Sequence, residues 1–503
     1  MANPLYDHLF APHAGKSTPF LHLENGETIS HDTFLQMAAR FAHAIQDCGL
    51  QAGDCVAVQI DKSAPALAVY AACVQAGVIF LPLNTAYTAS EISYFLQDSG
   101  AKLFLCTGKN TDGLLPIAKA AGARMETLNA DGTGTFAALA RAKDNSFDTA
   151  PRSPDDLAAL LYTSGTTGRS KGAMLSHENL LSNARALVEI WRFTAKDTLL
   201  HPLPIFHTHG LFVATNVSLL AGGDMIFMDK FNTDFIIENL PRATSMMGVP
   251  TFYTRLLADA RFTNDLTRHM RLFVSGSAPL LAETHAQFEA RTGHRILERY
   301  GMTETSMNTS NPYDGERRAG TVGFALPDVT IKITDAKTGA TLPDGEIGQI
   351  EVRGPNVFTG YWQMPEKTRE ELREDGFFIT GDLGRVDADG YLHIVGRGKD
   401  LIISGGFNIY PKEVELVLDD QPNVLESAVI GVPHPDFGEA VVGIVVPLPG
   451  TDVDLDKIQT SLGHSLARFK QPKKLITMAE LPRNTMGKVQ KNLLRDAHKA
   501  EFS

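Results

Sequence analysis

Apolar residues recur at two alternating spacings along the first third of the chain. Phe34, Met37, Ala38, Phe41 and Ile45 form a stripe at helical spacing, while Cys55-Val56-Ala57-Val58-Gln59-Ile60 and Leu103-Phe104-Leu105-Cys106 read as strands. This alternation predicts a largely parallel sheet. The most apolar stretch, Ala66 to Leu83, contains Gln75, Gly77 and Pro82. It predicts a buried helix running into a buried strand rather than a membrane span. Asp156 to Tyr162 reads as another strand, and Gly172-Ala173-Met174-Leu175 as its neighbour. Ser176 then caps a helix whose face is Leu180, Ala184, Leu187, Val188 and Trp191. Further on, Leu272 to Leu280 is a strand ending in a small-residue turn, Phe377 to Asp382 is a strand ending in an acid, and Pro411 opens a helix. Gly396-Arg397-Gly398-Lys399-Asp400 reads as a charged, glycine-flanked linker. The expected fold is α/β: a large N-terminal domain of layered βα subdomains, residues 1–398, and a small α+β domain, 399–503, on a hinge.

Composition narrows the class. The 503 residues suffice for two to four domains, and 43% hydrophobic with 21% charged residues is ordinary for a globular protein. A formal charge of −12 argues against nucleic acid as a general partner. The start has no basic segment leading an apolar one, so no signal peptide is expected. Cys48, Cys55, Cys73 and Cys106 lack metal-ligand spacing and read as reduced thiols of a cytoplasmic protein. Between Arg468 and Lys499 nine Lys/Arg face two Asp/Glu, a local basic bias in an acidic chain.

Several stretches carry candidate chemistry. Between the two strands lies Thr163-Ser164-Gly165-Thr166-Thr167-Gly168-Arg169-Ser170-Lys171-Gly172. Glycines let backbone N–H groups converge, and hydroxyls and cations add donors, as a polyphosphate needs. The spacing departs from the common phosphate loop, in which lysine follows glycine directly and a helix comes next. A solvated turn has the same composition. His201, His207 and His209 suggest a metal, but the intervening prolines break any helix that would present them together, so a pocket wall is the better reading. Glu304, in Tyr300-Gly301-Met302-Thr303-Glu304, is either a hard-cation ligand or a solvated glutamate. Asp382 has the chemistry to accept ribose hydroxyls. Lys488 follows a glycine ahead of the final helix.

Together, Tyr162–Gly172, Gly276–Pro279, Tyr300–Glu304, Thr380–Asp382, Gly396–Lys399 and Gly487-Lys488 resemble, in order, the motifs of the adenylate-forming superfamily of acyl-CoA synthetases, adenylation domains and luciferases. The resemblance implies that ATP and a carboxylate give an acyl-adenylate and pyrophosphate, and that a thiol then displaces AMP. It implies that Thr163, Ser164, Thr166, Thr167 and Lys171 hold the β- and γ-phosphates, with Gly165 and Gly168 allowing close approach. Thr303 would touch the α-phosphate and Glu304 would bind Mg²⁺. Gly276, Ser277, Ala278 and Tyr300, with Gly301 and Met302 of the same motif, would hold adenine. Asp382 and Arg397 would hold ribose. Lys488 would stabilise charge in the first step, Lys399 would be the hinge, and Ser404, Gly405 and Gly406 would line the coenzyme A tunnel. Relatives are regulated by lysine acetylation, and Pro482-x4-Gly487-Lys488 resembles such sites, which implies an acetyltransferase and a deacetylase as partners at Lys488.

The acyl pocket would be walled by His207, Thr208, Met247 to Pro250, Ser277, Arg299 and Met307, with His207 also in the catalytic set. Arg299 stands where many members of the superfamily have a small residue. It either turns outward to Glu298 and solvent, or inward as a fork for a second carboxylate. With Gly248-Val249-Pro250-Thr251 and Met302-Thr303-Glu304-Thr305, it resembles the malonyl-CoA synthetases. That implies a short dicarboxylate, malonate first and methylmalonate second. The alternatives are a ligase for medium-chain or aromatic acids, a carrier-loading adenylation enzyme, and a non-catalytic binding protein.

Overall fold

The computed structural model describes residues 2–163, 170–404, 407–484 and 487–502. The chain forms two compact units: Met1–Gly320 with Phe324–Thr330 and Val352–Phe378, and Thr321–Gly323 with Ile331–Glu351 and Ile379–Ser503.

The first unit holds two sheets. One runs in the order Gly360–Tyr361, Lys171–Ser176, Leu157–Thr163, Ile79–Pro82, Cys55–Gln59, Leu103–Cys106, Arg124–Thr127. Its inner strands are parallel, as the βα alternation predicts. The other has nine strands and mixes distant segments: Pro19–Leu23 lies parallel to Asp224–Phe227, and Ser245–Gly248, Leu272–Ser275 and Leu297–Met302 follow in parallel register. Helix Ala64–Ala76 buries nearly every side chain. Ser63 caps its start and Gly77, at φ 71°, ends it in the left-handed region. Helix His31–Asp47 buries Phe34, Leu35, Ala38, Ala39, Phe41, Ala42 and Ile45, so the stripe sits slightly off the expected one and Met37 lies at its edge. Helix His177–Ile190 opens on a capping box of Ser176 and Asn179. At its end Trp191 is fully buried and its indole donates to Ser310 Oγ at 2.9 Å.

The second unit carries most of a four-stranded sheet in the order Thr330–Thr334, Gly348–Arg353, Phe378–Val386 and Leu392–Arg397. Its second sheet is built on the long hairpin Val424–His434 and Gly438–Pro447. Side chains alternate across it: Val429, Val441 and Val445 pack with Val414, Leu418, Ile458 and Leu462 on one face, while Ile430, Val442 and Ile444 pack with Leu481 and Leu494 on the other.

Two expectations are corrected here. The strand beginning at Phe378 does not end at Asp382 but runs to Val386, because a turn held by Asp387 returns the chain as an antiparallel partner. Gly381, at φ 73°, and a bulge between Leu383 and Gly384 hide this strand from a periodicity argument. Arg397 belongs to the returning strand and not to a linker, and only Gly398–Asp400 form a separate turn.

Candidate functional site

In the first unit, strands Leu157–Thr163 and Lys171–Ser176 pair antiparallel, with Thr163 opposite Lys171. Their ladder fixes both ends of the glycine-rich loop. Ser164, Gly165, Thr166, Thr167 and Gly168 lie outside the described residues. The Lys171 ammonium contacts both Glu371 oxygens at 3.2 Å and sits 4.1 Å from the centre of the Tyr361 ring. The Tyr361 hydroxyl lies 2.6 Å from Glu371 Oε2 and 3.1 Å from Glu304 Oε1, so its one hydrogen is shared between two carboxylates. Burial, and then those carboxylates, push its pKa far up and keep it a donor. Burial tends to raise the Glu371 carboxyl, but hydrogen bonds from Tyr361, Lys367 and Lys171 more than offset it and hold it below the ordinary glutamate range. The network thus gathers two cations, Lys171 and Lys367, with two carboxylates and one phenol at the Lys171 end of the loop.

Glu304 is 5% exposed, on the turn between strands Leu297–Met302 and Ser306–Ser310. Among the described residues no group of three His, Cys, Asp or Glu gathers as a metal cage. A cation held here would lean on a single carboxylate, substrate phosphates and water, and that donor set suits Mg²⁺. The same turn is held by Asn356, whose amide donates to the carbonyls of Thr305 and Met307 at 2.7 and 3.1 Å. Asn183 brackets Met307 from the other side, at 2.8 Å to its carbonyl and 3.2 Å from its N–H. Gly301 is required there, since a Cβ would lie 1.9 Å from the Ser306 carbonyl oxygen.

Arg299 is turned inward and is 4% exposed. Its strand neighbour in register explains how it fits. Ser275 pairs with Glu298, and a Cβ on the next residue, Gly276, would stand 2.3 Å from the guanidinium carbon. The missing side chain of Gly276, expected to expose backbone to a flat base, makes room for the guanidinium. Arg299 Nε and Nη2 are buried without a hydrogen-bond partner. Burial draws the pKa down to about 9, which leaves the group cationic at neutral pH. Around it lie His209, whose Nδ1 is 3.2 Å from Ser277 Oγ, and Tyr253, whose hydroxyl donates to the Val274 carbonyl at 2.6 Å. Burial first, then the charge of Arg299, hold the His209 imidazole neutral. Ser277 has φ 70°, a strained value for a residue with a side chain. His209 Nε2, Thr208 Oγ1, Ser275 Oγ and Ser306 Oγ are also buried without partners. Donors left unsatisfied together are costly unless a ligand completes them. Tyr300 is buried, His207, Ala278, Met302 and Thr303 are half-buried, and Met307 is 2% exposed.

In the second unit, Asp382 Oδ1 accepts from Arg397 Nε at 2.7 Å. Lys399 lies in the following turn, solvent-exposed as a residue, with its pKa lowered first by partial desolvation of the ammonium. Exposed Lys488 accepts the Asn484 N–H at its carbonyl at 2.9 Å and donates its own N–H to Asn484 Oδ1 at 3.0 Å, and Gly487 has φ 75°. Ser404 ends a short strand, and Gly405 and Gly406 lie outside the described residues.

Sequence reading missed Tyr361, Glu371 and Tyr253, and it named His209 as part of a pocket wall without assigning it to the acyl pocket. The first two sit about two hundred positions from Lys171 with no local pattern to mark them. His209 was visible beside His207, but nothing in the spacing told which histidine is buried.

Residues 11–362 match the model of the AMP-binding enzymes, and residues 413–488 match that of the AMP-binding enzyme C-terminal domain. Malonate–CoA ligase of Arabidopsis thaliana is 37% identical over 452 residues, covering 83% of this chain and 74% of its own. Feruloyl-CoA synthase of an Amycolatopsis species is 35% identical over 476 residues, covering 93% and 94%. Among solved structures, ATP-bound MatB from Rhodopseudomonas palustris superposes with a TM-score of 0.98 at 55% identity over the whole of both chains. A benzoate CoA ligase from Burkholderia xenovorans superposes with a TM-score of 0.89 at 25% identity, covering 98% and 99%. The fold is that of the adenylate-forming enzymes, and the chain belongs to the AMP-binding enzyme family.

Proposed function

We propose that this enzyme is a malonate–CoA ligase. It is an AMP-forming acid–thiol ligase that uses ATP, Mg²⁺ and coenzyme A, and the substrate we assign is malonate, with methylmalonate second. The observation that carries the choice of acid is the buried guanidinium of Arg299, with Nε and Nη2 unpartnered. A fork of two N–H groups is the complement of a second carboxylate. An aromatic or aliphatic monoacid would leave that charge unpaired, at a cost of about 3–5 kcal/mol by analogy with a broken buried ion pair. The 37% identity to a malonate–CoA ligase and the 55% identity to MatB support the same reading.

A carboxylate is a poor acyl donor because its leaving group would be oxide. Transfer to the α-phosphorus of ATP replaces oxide by AMP, a stable anion, and the protein's task is to position and neutralise charge. In this reading Thr163, Ser164, Gly165, Thr166, Thr167, Gly168 and Lys171 hold the departing pyrophosphate. Thr303 meets the α-phosphate, and Gly276, Ser277, Ala278, Tyr300, Gly301 and Met302 seat adenine. Asp382 and Arg397 take the ribose, Asp382 exchanging part of its bond to Arg397 for the hydroxyls. Arg299 anchors the distal carboxylate, with His207, Thr208, Ser277 and Met307 as walls. Mg²⁺, when bound at Glu304 and the phosphates, supplies neutralisation of phosphate charge. Lys488 donates to the reacting carboxylate and the α-phosphate. The domain 399–503 then turns at Lys399 and brings Ser404, Gly405 and Gly406 to the thiol's path. Lys488 is also our candidate for reversible acetylation, on its sequence pattern, and the free thiols Cys48, Cys55, Cys73 and Cys106 fit a cytoplasmic setting. Among the described residues no helix is long and apolar enough to cross a membrane.

Incubation with malonate, ATP, Mg²⁺ and coenzyme A, followed by mass spectrometry, is expected to show malonyl-CoA, AMP and pyrophosphate in equal amounts. ADP in place of AMP, or no thioester with free coenzyme A, contradicts the assignment.

A further inference from the structure

Strand Thr198–His201 ends in a histidine that is fully buried. Both of its ring nitrogens are engaged. Nδ1 lies 3.0 Å from the Lys62 ammonium, and Nε2 lies 2.8 Å from the Gly210 carbonyl oxygen. Lys62 is 139 residues away in sequence and also donates to the His201 carbonyl at 2.7 Å. Its third donor direction faces the Phe227 ring, 4.2 Å from the centroid. The ammonium is thus held by the His201 ring, the His201 carbonyl and the face of Phe227. With Nδ1 accepting, the proton of the neutral ring sits on Nε2 and donates to Gly210, so Lys62 fixes the tautomer. Burial first, and then the Lys62 charge, hold the ring in that neutral state. Burial likewise draws Lys62 down, against the carboxylates of Asp229 and Glu24.

What this pair holds is the turn carrying His207, Thr208 and His209. The Gly210 carbonyl also accepts from Thr215 Oγ1 at 2.9 Å. A Cβ on Gly210 would lie 2.0 Å from the Pro204 carbonyl oxygen, so the turn closes tightly on the proline loop. His209 begins a π-helical turn, His209–Thr215, a departure from the α-helix often found at functional sites. A cavity of about 390 Å³ is bordered by Ile60, Lys62, Phe80, Pro204, Phe206 and Asp229, next to the residues that lead into the turn. The hydrogen bonds through His201 tie this turn directly to strand Thr198–His201.

We propose that Lys62 is a positioning residue for the acyl pocket, acting through the His201 tautomer on the turn that sets His209 against Ser277 and Arg299. The inference rests on the dicarboxylate reading of that pocket. Lys62→Met keeps the stem and removes the donors. It is expected to raise the KM for malonate about tenfold, with kcat at saturating malonate and the KM for ATP each changed less than about threefold. Lys62→Gln retains one N–H for Nδ1 without the charge and is expected to keep the malonate KM within about threefold of the natural enzyme. The double variant Lys62→Met/His201→Phe is expected to be no worse than His201→Phe alone, because the two act as one unit. An unchanged malonate KM in Lys62→Met overturns the proposal, as does a parallel rise in the KM for ATP, or a Lys62→Gln variant as impaired as Lys62→Met. If Lys62→Met does not fold, Lys62→Ala is read in its place, and a malonate KM within about threefold of the natural enzyme overturns the proposal. The natural enzyme is assayed first: no preference for malonate removes the reading beneath the proposal, whereas a preference that survives Lys62→Met removes only the proposal.

Discussion

Arg299→Met exchanges a buried cation for an apolar side chain of similar length. In the ligand-free protein the guanidinium is 4% exposed, with Nε and Nη2 unpartnered and its carbon seated in the space left by Gly276. Its removal relieves an uncompensated buried charge, so the ligand-free variant is expected to melt at or above the natural temperature. In the malonate complex the same change strands the distal carboxylate in a dry pocket. Losing one partner of a buried pair costs about 3–5 kcal/mol, or about two to three and a half decades in kcat/KM at about 1.4 kcal/mol per decade. The KM for ATP is expected to move less than about twofold, because the group acts on the acid alone. Continuous pyrophosphate release at varied malonate and ATP, with a thermal melt of each protein, reads all three quantities. A loss of malonate kcat/KM below about fivefold, or a loss matched by a lower melting temperature and a raised KM for ATP, refutes the reasoning. The first result would mean the guanidinium does not meet the acid, and the second that it is only structural.

Lys488→Ala is expected to abolish adenylate formation while leaving thioester formation from pre-made malonyl-adenylate largely intact; equal loss of both half-reactions sinks its assignment. Tyr361→Phe removes the hydrogen shared by Glu304 and Glu371, leaves the two carboxylates facing each other, and is expected to raise the Mg²⁺ concentration needed for half-maximal activity, measured by magnesium titration at fixed ATP. Stability should fall as the solution is acidified below the ordinary histidine range. His31 and His177 are held down to about 4 by burial first, so the unfolded chain binds more protons between roughly pH 6.5 and pH 4. Their stabilisation is complete above that window and lost through it, and a melting temperature flat across it contradicts the buried, neutral state of these rings.

Local elements were legible where one period dominates. Helix Ala64–Ala76 and the strands on either side of the glycine-rich loop follow directly from their apolar runs. Strand Phe378–Val386 was cut short because two glycines interrupt its alternation, and the hairpin that completes it is a tertiary fact. The nine-stranded sheet was not legible in order, since pairs such as His22 with Ile226 join segments two hundred residues apart. The direction of Arg299 was open for the same reason. Room for it is made by Gly276, on the neighbouring parallel strand, and no spacing along one strand reveals what the next one leaves vacant. Asp382 and Arg397 were named separately for ribose, and their ion pair emerges only once their two strands meet.

The central claim is that a buried guanidinium selects a second carboxylate, and comparing malonate with butyrate tests it most directly. The two acids are similar in size and differ in the group presented to Arg299. Rates of pyrophosphate release with ATP, Mg²⁺ and coenzyme A are predicted to give a kcat/KM for malonate at least about a hundredfold above that for butyrate, acetate or propionate. A kcat/KM for butyrate equal to or above that for malonate would contradict the account.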